Sequence, residues 1–251
     1  MKKNRAVFLA LFLICSLLQG CGSAENKGET VEEFCRSLHK YRTVSVPSGG
    51  TAFDFEALEK VNPDIYAWIE IPDTGIDYPV LQNSSDDLYY LETAPDGSPY
   101  IGGSIFSQAS YNGTMLDDPV TVLYGNTMLD GTMFGSLQML YSSPPAEDAA
   151  EREILIYLPE EVRSYEVFAA VPFDDTHILY TYDFSSKYWY SNFFERIRNI
   201  RSLDAWFDET KAPEYGDQVI LLSTSLADGS EGRFLVMAVF RDTAGLAGQV
   251  P

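Results

Sequence analysis

The sequence predicts a mainly β fold with a small number of helices. Two apolar runs of strand length, Val219–Ser225 and Arg233–Phe240, flank a loop rich in glycine and acidic residues at 226–232. Further runs of β-branched and aromatic residues occur at 153–158 and 164–171. Short apolar runs bounded by turn residues are typical of paired strands. With 251 residues, 45% of them hydrophobic, the chain is long enough for one domain with a substantial core.

Three segments have the spacing of helices. They cover residues 30–42, 54–61 and 185–203. The first begins with a capping box formed by Thr30 and Glu33, and its apolar residues recur at helical spacing. Cys35 lies beside that apolar stripe, where a free cysteine is more often a small core residue than a functional thiol.

The N-terminus has the pattern of a secretory signal. Three basic residues among the first five precede an apolar run from Ala6 to Leu18, which is too short for a typical membrane span. The following Gln-Gly-Cys21 resembles a bacterial lipobox, in which the cysteine is lipidated and becomes the mature N-terminus. We therefore predict a signal peptide at 1–20, a lipid on Cys21, and a tether with the first helix over 21–50. An N-terminal membrane anchor and a plain cleavable signal are the alternatives.

Charge limits the partners of the chain. The 37 acidic and 17 basic residues give a formal net charge of −20. An acidic surface repels phosphate groups, so nucleic acid is excluded as a partner. Aspartate pairs at 86–87, 117–118 and 174–175 lack an EF-hand pattern, and we predict no metal and no cofactor.

Basic residues concentrate in the third predicted helix of this acidic chain. They are Lys187, Arg196, Arg198 and Arg201. Such a run is either a solvated face paired with neighbouring acids or a ligand patch, and the first is the commoner case.

Several segments resemble the class B sortases and follow the order of that family. Asn62-Pro-Asp, Trp68-Ile and Ile76-Asp-Tyr-Pro-Val resemble the entry to its domain. A second resemblance to the family lies in the segment from Val122 to Leu137. It consists of Val122-Leu-Tyr-Gly-Asn-Thr-Met, followed by Asp-Gly and Met-Phe-Gly-Ser-Leu137. The resemblance covers about 51–241. It implies a sortase-like domain over 51–251, built as a closed and mostly antiparallel β-barrel with N-terminal helices and one helix in a long strand connection.

The resemblance also identifies the positions of an active site. In the family a strand ends in Leu-x-Thr-Cys with a nucleophilic cysteine, a histidine follows Tyr-Gly, and an arginine opens the next strand. The matching residues here are Ser225, Asn126 and Arg233, so two of the three positions are changed. The adjoining Thr224 and Tyr124 are predicted to bind substrate.

Three interpretations of these changes remain open. A serine hydroxyl becomes a useful nucleophile only beside a base, and the amide of Asn126 does not titrate. Ser225 and Asn126 are therefore ordinary polar loop residues, or they mark a groove that binds a peptide without cutting it. In the third interpretation they belong to a serine enzyme that recruits an acidic base or a histidine, of which the chain has two, His39 and His177.

We favour a catalytically inactive sortase-like lipoprotein on the outer face of the membrane of a Gram-positive-type envelope. Its partner is expected to be the sorting signal of a surface protein, another peptide or a cell-wall precursor, with the membrane contacted through the lipid. The alternative is an active transpeptidase for cell-wall anchoring or pilus assembly with Ser225 as nucleophile. Arg233 either donates hydrogen bonds to a ligand carbonyl or forms a salt bridge with a nearby carboxylate.

Overall fold

The computed structural model describes residues 30–45 and 51–245, with the backbone alone described at 44, 45, 51, 244 and 245. The predicted signal peptide and Cys21 lie outside these ranges. The strands are β1 Arg42–Ser45, β2 Thr51–Phe53, β3 Ile65–Glu70, β4 Asp77–Leu81, β5 Ile105–Phe106, β6 Val120–Tyr124, β7 Glu153–Tyr157, β8 Glu161–Phe173, β9 Trp206–Phe207, β10 Val219–Ser225 and β11 Arg233–Gly245. The α-helices are α1 Val31–Ser37, α2 Phe55–Val61, α3 Leu137–Leu140, α4 Ile178–Thr181 and α5 Lys187–Arg198.

Eight strands close into a barrel, as the resemblance implied. Their order is β11-β10-β6-β5-β4-β3-β7-β8, and the pairing of β8 with β11 closes the ring. The pairs β10–β6 and β4–β5 are parallel, while the other pairs in the ring are antiparallel. Closure leaves no open sheet edge among these eight strands. The short β9 adds to the outside of β8.

The first four residues of β10 are all apolar, because both faces of the strand are covered. Ile220 and Leu222 belong to the core inside the barrel, together with Ile69, Val80 and other strand residues. Leu221 alternates with them and packs in a second core on the outside. The period of two in a β-strand assigns neighbouring residues to opposite faces, and both faces are buried here.

The helix α5 covers the outer face of β10 and β11. Its buried residues Tyr190, Phe193, Phe194 and Ile197 share the outer core with Leu221. The helix is shorter than the predicted 185–203, because it begins at Lys187 and ends at Arg198. Ser186 occupies the N-cap position and Asn199 the C-cap position. Arg201 therefore lies beyond the helix to which the sequence assigned it.

The N-terminal helices pack against the barrel. The predicted capping box is present, since Thr30 Oγ1 accepts from Glu33 N at 3.2 Å and Glu33 Oε2 accepts from Thr30 N at 2.9 Å. Cys35 is buried in the barrel core, and burial raises the pKa of its thiol to about 12, as expected for a core residue. Within the described ranges, no helix combines the length and apolar character that a membrane crossing requires.

Candidate active site

Strand direction brings the predicted site residues to one end of the barrel. β6 and β10 run parallel, so Tyr124 and Ser225 both lie at the carboxyl ends of their strands. β11 runs antiparallel to β10, and its first residue, Arg233, pairs directly with Ser225. Asn126 follows β6 by two residues. Three adjacent strands thus bring Ser225, Asn126 and Arg233 to the same end of the barrel.

Ser225 and Arg233 are in side-chain contact. Arg233 Nη1 donates a long hydrogen bond of 3.4 Å to Ser225 Oγ. Ser225 is half-buried and Arg233 is exposed. Within the part of the chain that the structure describes, no histidine or carboxylate forms a hydrogen bond with Ser225 Oγ, and Arg233 makes no ion pair. The salt bridge considered for Arg233 is therefore not formed by the described carboxylates.

The side chain of Asn126 forms hydrogen bonds with the neighbouring loop. Its Nδ2 donates to the backbone oxygens of Leu91 at 2.8 Å and Ile101 at 3.2 Å. Both carbonyls belong to the segment between β4 and β5. Gly103 holds this segment close, because a Cβ there would lie 2.4 Å from Leu91 O and its φ is +57°. Asn126 therefore connects β6 to the loop beside the site, and its amide has no titratable proton.

Thr127 is a residue of the site that sequence reasoning did not identify. Its Oγ1 donates to the backbone oxygen of Ser225 at 2.6 Å and lies 2.7 Å from Thr224 Oγ1. Because Thr127 has one proton, Thr224 is the donor between the two hydroxyls. Thr224 is 1% exposed, so it supports the end of the strand and is not accessible to a ligand in this structure. The position of Thr127, one residue after Asn126, was the only available signal.

The two histidines do not contact Ser225. His39 Nε2 lies 3.4 Å from Asp77 Oδ2, and its ring packs edge-on against Trp68. His177, placed by the sequence in a loop, is the N-cap of the short α4, where its Nδ1 accepts from Tyr180 N at 3.2 Å. Burial lowers the pKa of His177, and Arg233 lowers it further. His177 is thus within electrostatic reach of Arg233 without a hydrogen bond to the serine.

Tyr124 completes the described site. It is half-buried, and burial raises the pKa of its phenol, while the positive charge of Arg233 opposes that shift. Asp87 raises the pKa of Tyr124, and its Oδ1 accepts from Ser110 N at 3.0 Å. The ring of Tyr111 packs against that of His177 at a tilt of 45°, with centroids 4.8 Å apart. Asp87 and Tyr111 come from the loops before and after β5, and no local sequence pattern predicted their proximity to the site.

Two of the four cations at and after α5 are paired with neighbouring acids. Arg196 contacts Asp174 at 2.5 Å, and Arg198 contacts both Glu195 and Glu209 at 2.9 Å. The ligand patch considered from the sequence is not needed to account for them. Within the described ranges, no three histidine, cysteine or carboxylate side chains gather where they could hold a metal ion.

This chain is similar to several proteins that are named sortase B. No protein-family model matches the chain. The protein named sortase B from Listeria monocytogenes is 26% identical over 247 residues, covering 94% of each chain. A crystal structure of sortase B from B. anthracis in complex with AAEK1 is 29% identical with a TM-score of 0.66, covering 82% of this chain and 92% of that one. A Staphylococcus aureus sortase B–substrate complex, with 24% identity and a TM-score of 0.63, covers 84% and 92% and supports the fold alone.

Proposed function

Because this chain belongs to the class B sortase family, we propose that it binds a sorting-signal-like peptide at the shared end of β6, β10 and β11 without cleaving it. The observation that carries the proposal is the contact of Ser225 with Arg233 in the absence of a described base beside the serine. A neutral hydroxyl without a base is a poor nucleophile. Arg233, which makes no ion pair with the described residues, remains available to donate to a peptide carbonyl.

The hydrogen bonds of Asn126 support binding over catalysis. A transpeptidase needs a group that protonates the departing amine, and a carboxamide cannot supply that proton. Both amide hydrogens of Asn126 are instead directed to backbone carbonyls of the β4–β5 segment. The residue at the histidine position of the family therefore stabilises a wall of the site.

The alternative function, a transpeptidase that uses Ser225, requires a base from elsewhere. His177 is the candidate with some support, because Arg233 influences its pKa and its Nε2 makes no hydrogen bond to a described residue. To act, the imidazole would have to reach the serine hydroxyl when the peptide binds. A turnover measurement distinguishes this function from binding alone.

We place the protein on the outer face of the cytoplasmic membrane, attached through a lipid on Cys21. The support is the lipobox-like sequence and the polar tether that follows it. A lipidated N-terminal cysteine with two or more acyl chains is sufficient for stable anchoring. Metabolic labelling with an alkyne fatty acid is expected to label the wild-type chain and not Cys21→Ala. Equal labelling of both chains would exclude this anchor.

Binding and turnover can be measured on the same samples. The full chain is titrated into a library of fluorescent sorting-signal-like peptides, with a cell-wall stem peptide as a second class of ligand. Fluorescence anisotropy reports binding, and mass spectrometry of the recovered peptide reports cleavage. We expect saturable binding of at least one peptide, recovered intact after prolonged incubation with an amine acceptor.

Two arginine variants provide the control. Arg233→Gln removes the guanidinium of the site, whereas Arg201→Gln removes an exposed arginine whose side chain bonds only to backbone carbonyls. We expect weaker peptide binding in Arg233→Gln alone. Peptide cleavage that Ser225→Ala abolishes would replace this proposal by the serine transpeptidase, and the absence of any binding would refute it.

A further inference from the structure

Arg233 differs from most of the described arginines in having no acidic partner. In a chain with 37 acidic residues, ion pairs hold six other arginines. These are Arg42, Arg152, Arg163, Arg196, Arg198 and Arg241. The guanidinium of Arg233 contacts only a neutral hydroxyl among the described side chains. The site therefore holds a positive charge that no described protein group neutralises.

The groups around Arg233 are hydrogen-bond donors. Ser225 Oγ accepts from Arg233 Nη1, which leaves the serine proton free to donate to a ligand. The Tyr124 hydroxyl makes no hydrogen bond with a described residue, and burial keeps its phenol protonated by raising its pKa. The guanidinium and the serine hydroxyl, which are in contact, and the phenol of Tyr124, whose pKa Arg233 influences, can all donate to a ligand.

From this juxtaposition we infer that the site takes the free C-terminal carboxylate of a peptide in preference to an internal peptide bond. The inference rests on the proposed function and specifies its ligand. An internal carbonyl offers a single neutral oxygen, and it leaves the charge of Arg233 without a counterion. A carboxylate offers two oxygens, matches the fork of a guanidinium and accepts charge-assisted hydrogen bonds.

The rest of the chain opposes the binding of an anion. The net charge of −20 repels a carboxylate at long range, and Asp87 acts on Tyr124 from nearby. The preference must therefore arise from contacts within the site. Asp87→Asn is expected to strengthen carboxylate binding, because it removes the opposing charge and keeps the size of the side chain.

The test compares two forms of the best-binding peptide, one ending in a free carboxylate and one in a carboxamide. We expect the full chain to bind the acid form about tenfold more tightly, which corresponds to about 1.4 kcal/mol, because hydrogen bonds to charged groups are stronger than those to neutral groups. Arg233→Gln should reduce this ratio to about one. Arg201→Gln should leave the ratio unchanged.

Two further acid–amide pairs of peptides distinguish the sources of the carboxylate. One ends in an L-residue, as after cleavage of a sorting signal, and the other ends in D-alanyl-D-alanine, as in a cell-wall stem peptide. Tighter binding of either acid over its own amide supports the inference and identifies the source. Equal binding of acid and amide would overturn the inference and leave the proposed function standing, whereas no binding of any form would overturn both.

Discussion

The hydrogen bonds of Asn126 make the stability of the protein sensitive to that residue. Asn126→Ala leaves Leu91 O and Ile101 O without their donors. At about 0.5–1.5 kcal/mol for each hydrogen bond, and with the site half exposed to water, the expected loss in the free energy of unfolding is about 1–2 kcal/mol. Asn126→Asp should cost more at pH 7, because its carboxylate would face two carbonyl oxygens and cannot donate.

Urea denaturation of the full chain measures this effect, with the slope of the transition as a check that the unfolded states are comparable. Asn199→Ala is the matched control, since Asn199 also donates twice but to its own exposed helix end. It should cost clearly less than Asn126→Ala. The destabilisation by Asn126→Asp should shrink as the pH falls to 4, where the added carboxyl gains a proton. Asn126→Ala within 0.3 kcal/mol of wild type would refute the role of this residue as a connection between β6 and the loop.

Three further predictions concern the surroundings of the site. Gly125→Ala should cost about 1–3 kcal/mol in urea denaturation, because a Cβ would lie 2.5 Å from Ile105 Cδ1; Gly75→Ala, with nothing within 4 Å, should be neutral. Thr127→Val keeps the shape but loses both hydroxyl contacts, so we expect a loss of about 1–2 kcal/mol and weaker peptide binding, and wild-type values would contradict this. Burial lowers the pKa of His177, so the unfolded chain binds a proton more readily. The contribution of neutral His177 to the free energy of unfolding should be fully present above its unfolded pKa of about 6.5. This contribution should fall as the pH drops from there towards the folded pKa. His177→Gln should flatten this acid slope in thermal denaturation measured between pH 7.5 and 5, and an unchanged slope would exclude His177 as its source.

The elements that sequence reasoning predicted well are those with strong local patterns. β10 and the start of β11 agree with the predicted runs, since strands buried on both faces are nearly continuous runs of apolar residues. The capping box of α1 was predicted because it depends only on residues three positions apart. Ser225 and Arg233 were paired correctly, because a loop between consecutive strands brings their ends together.

The features that sequence reasoning missed depend on tertiary contacts. The strand β9 has two residues, and such a short strand is stabilised by its partner and not by its own sequence. The bond between Thr127 and the Ser225 carbonyl spans 98 positions along the chain. The carbonyls that engage Asn126 come from a loop whose path is set by Gly103 and by packing. No local pattern carries such information.

The most direct test of the account is a turnover assay with quenched sorting-signal-like peptides and an amine acceptor, read by mass spectrometry. The full wild-type chain is compared with the double variant Ser225→Cys with Asn126→His. The account predicts no cleavage by the wild type and measurable transpeptidation by the double variant, because the barrel end and Arg233 are in place and only the thiol and the proton donor are missing. Cleavage by the wild-type chain that Ser225→Ala removes would contradict it.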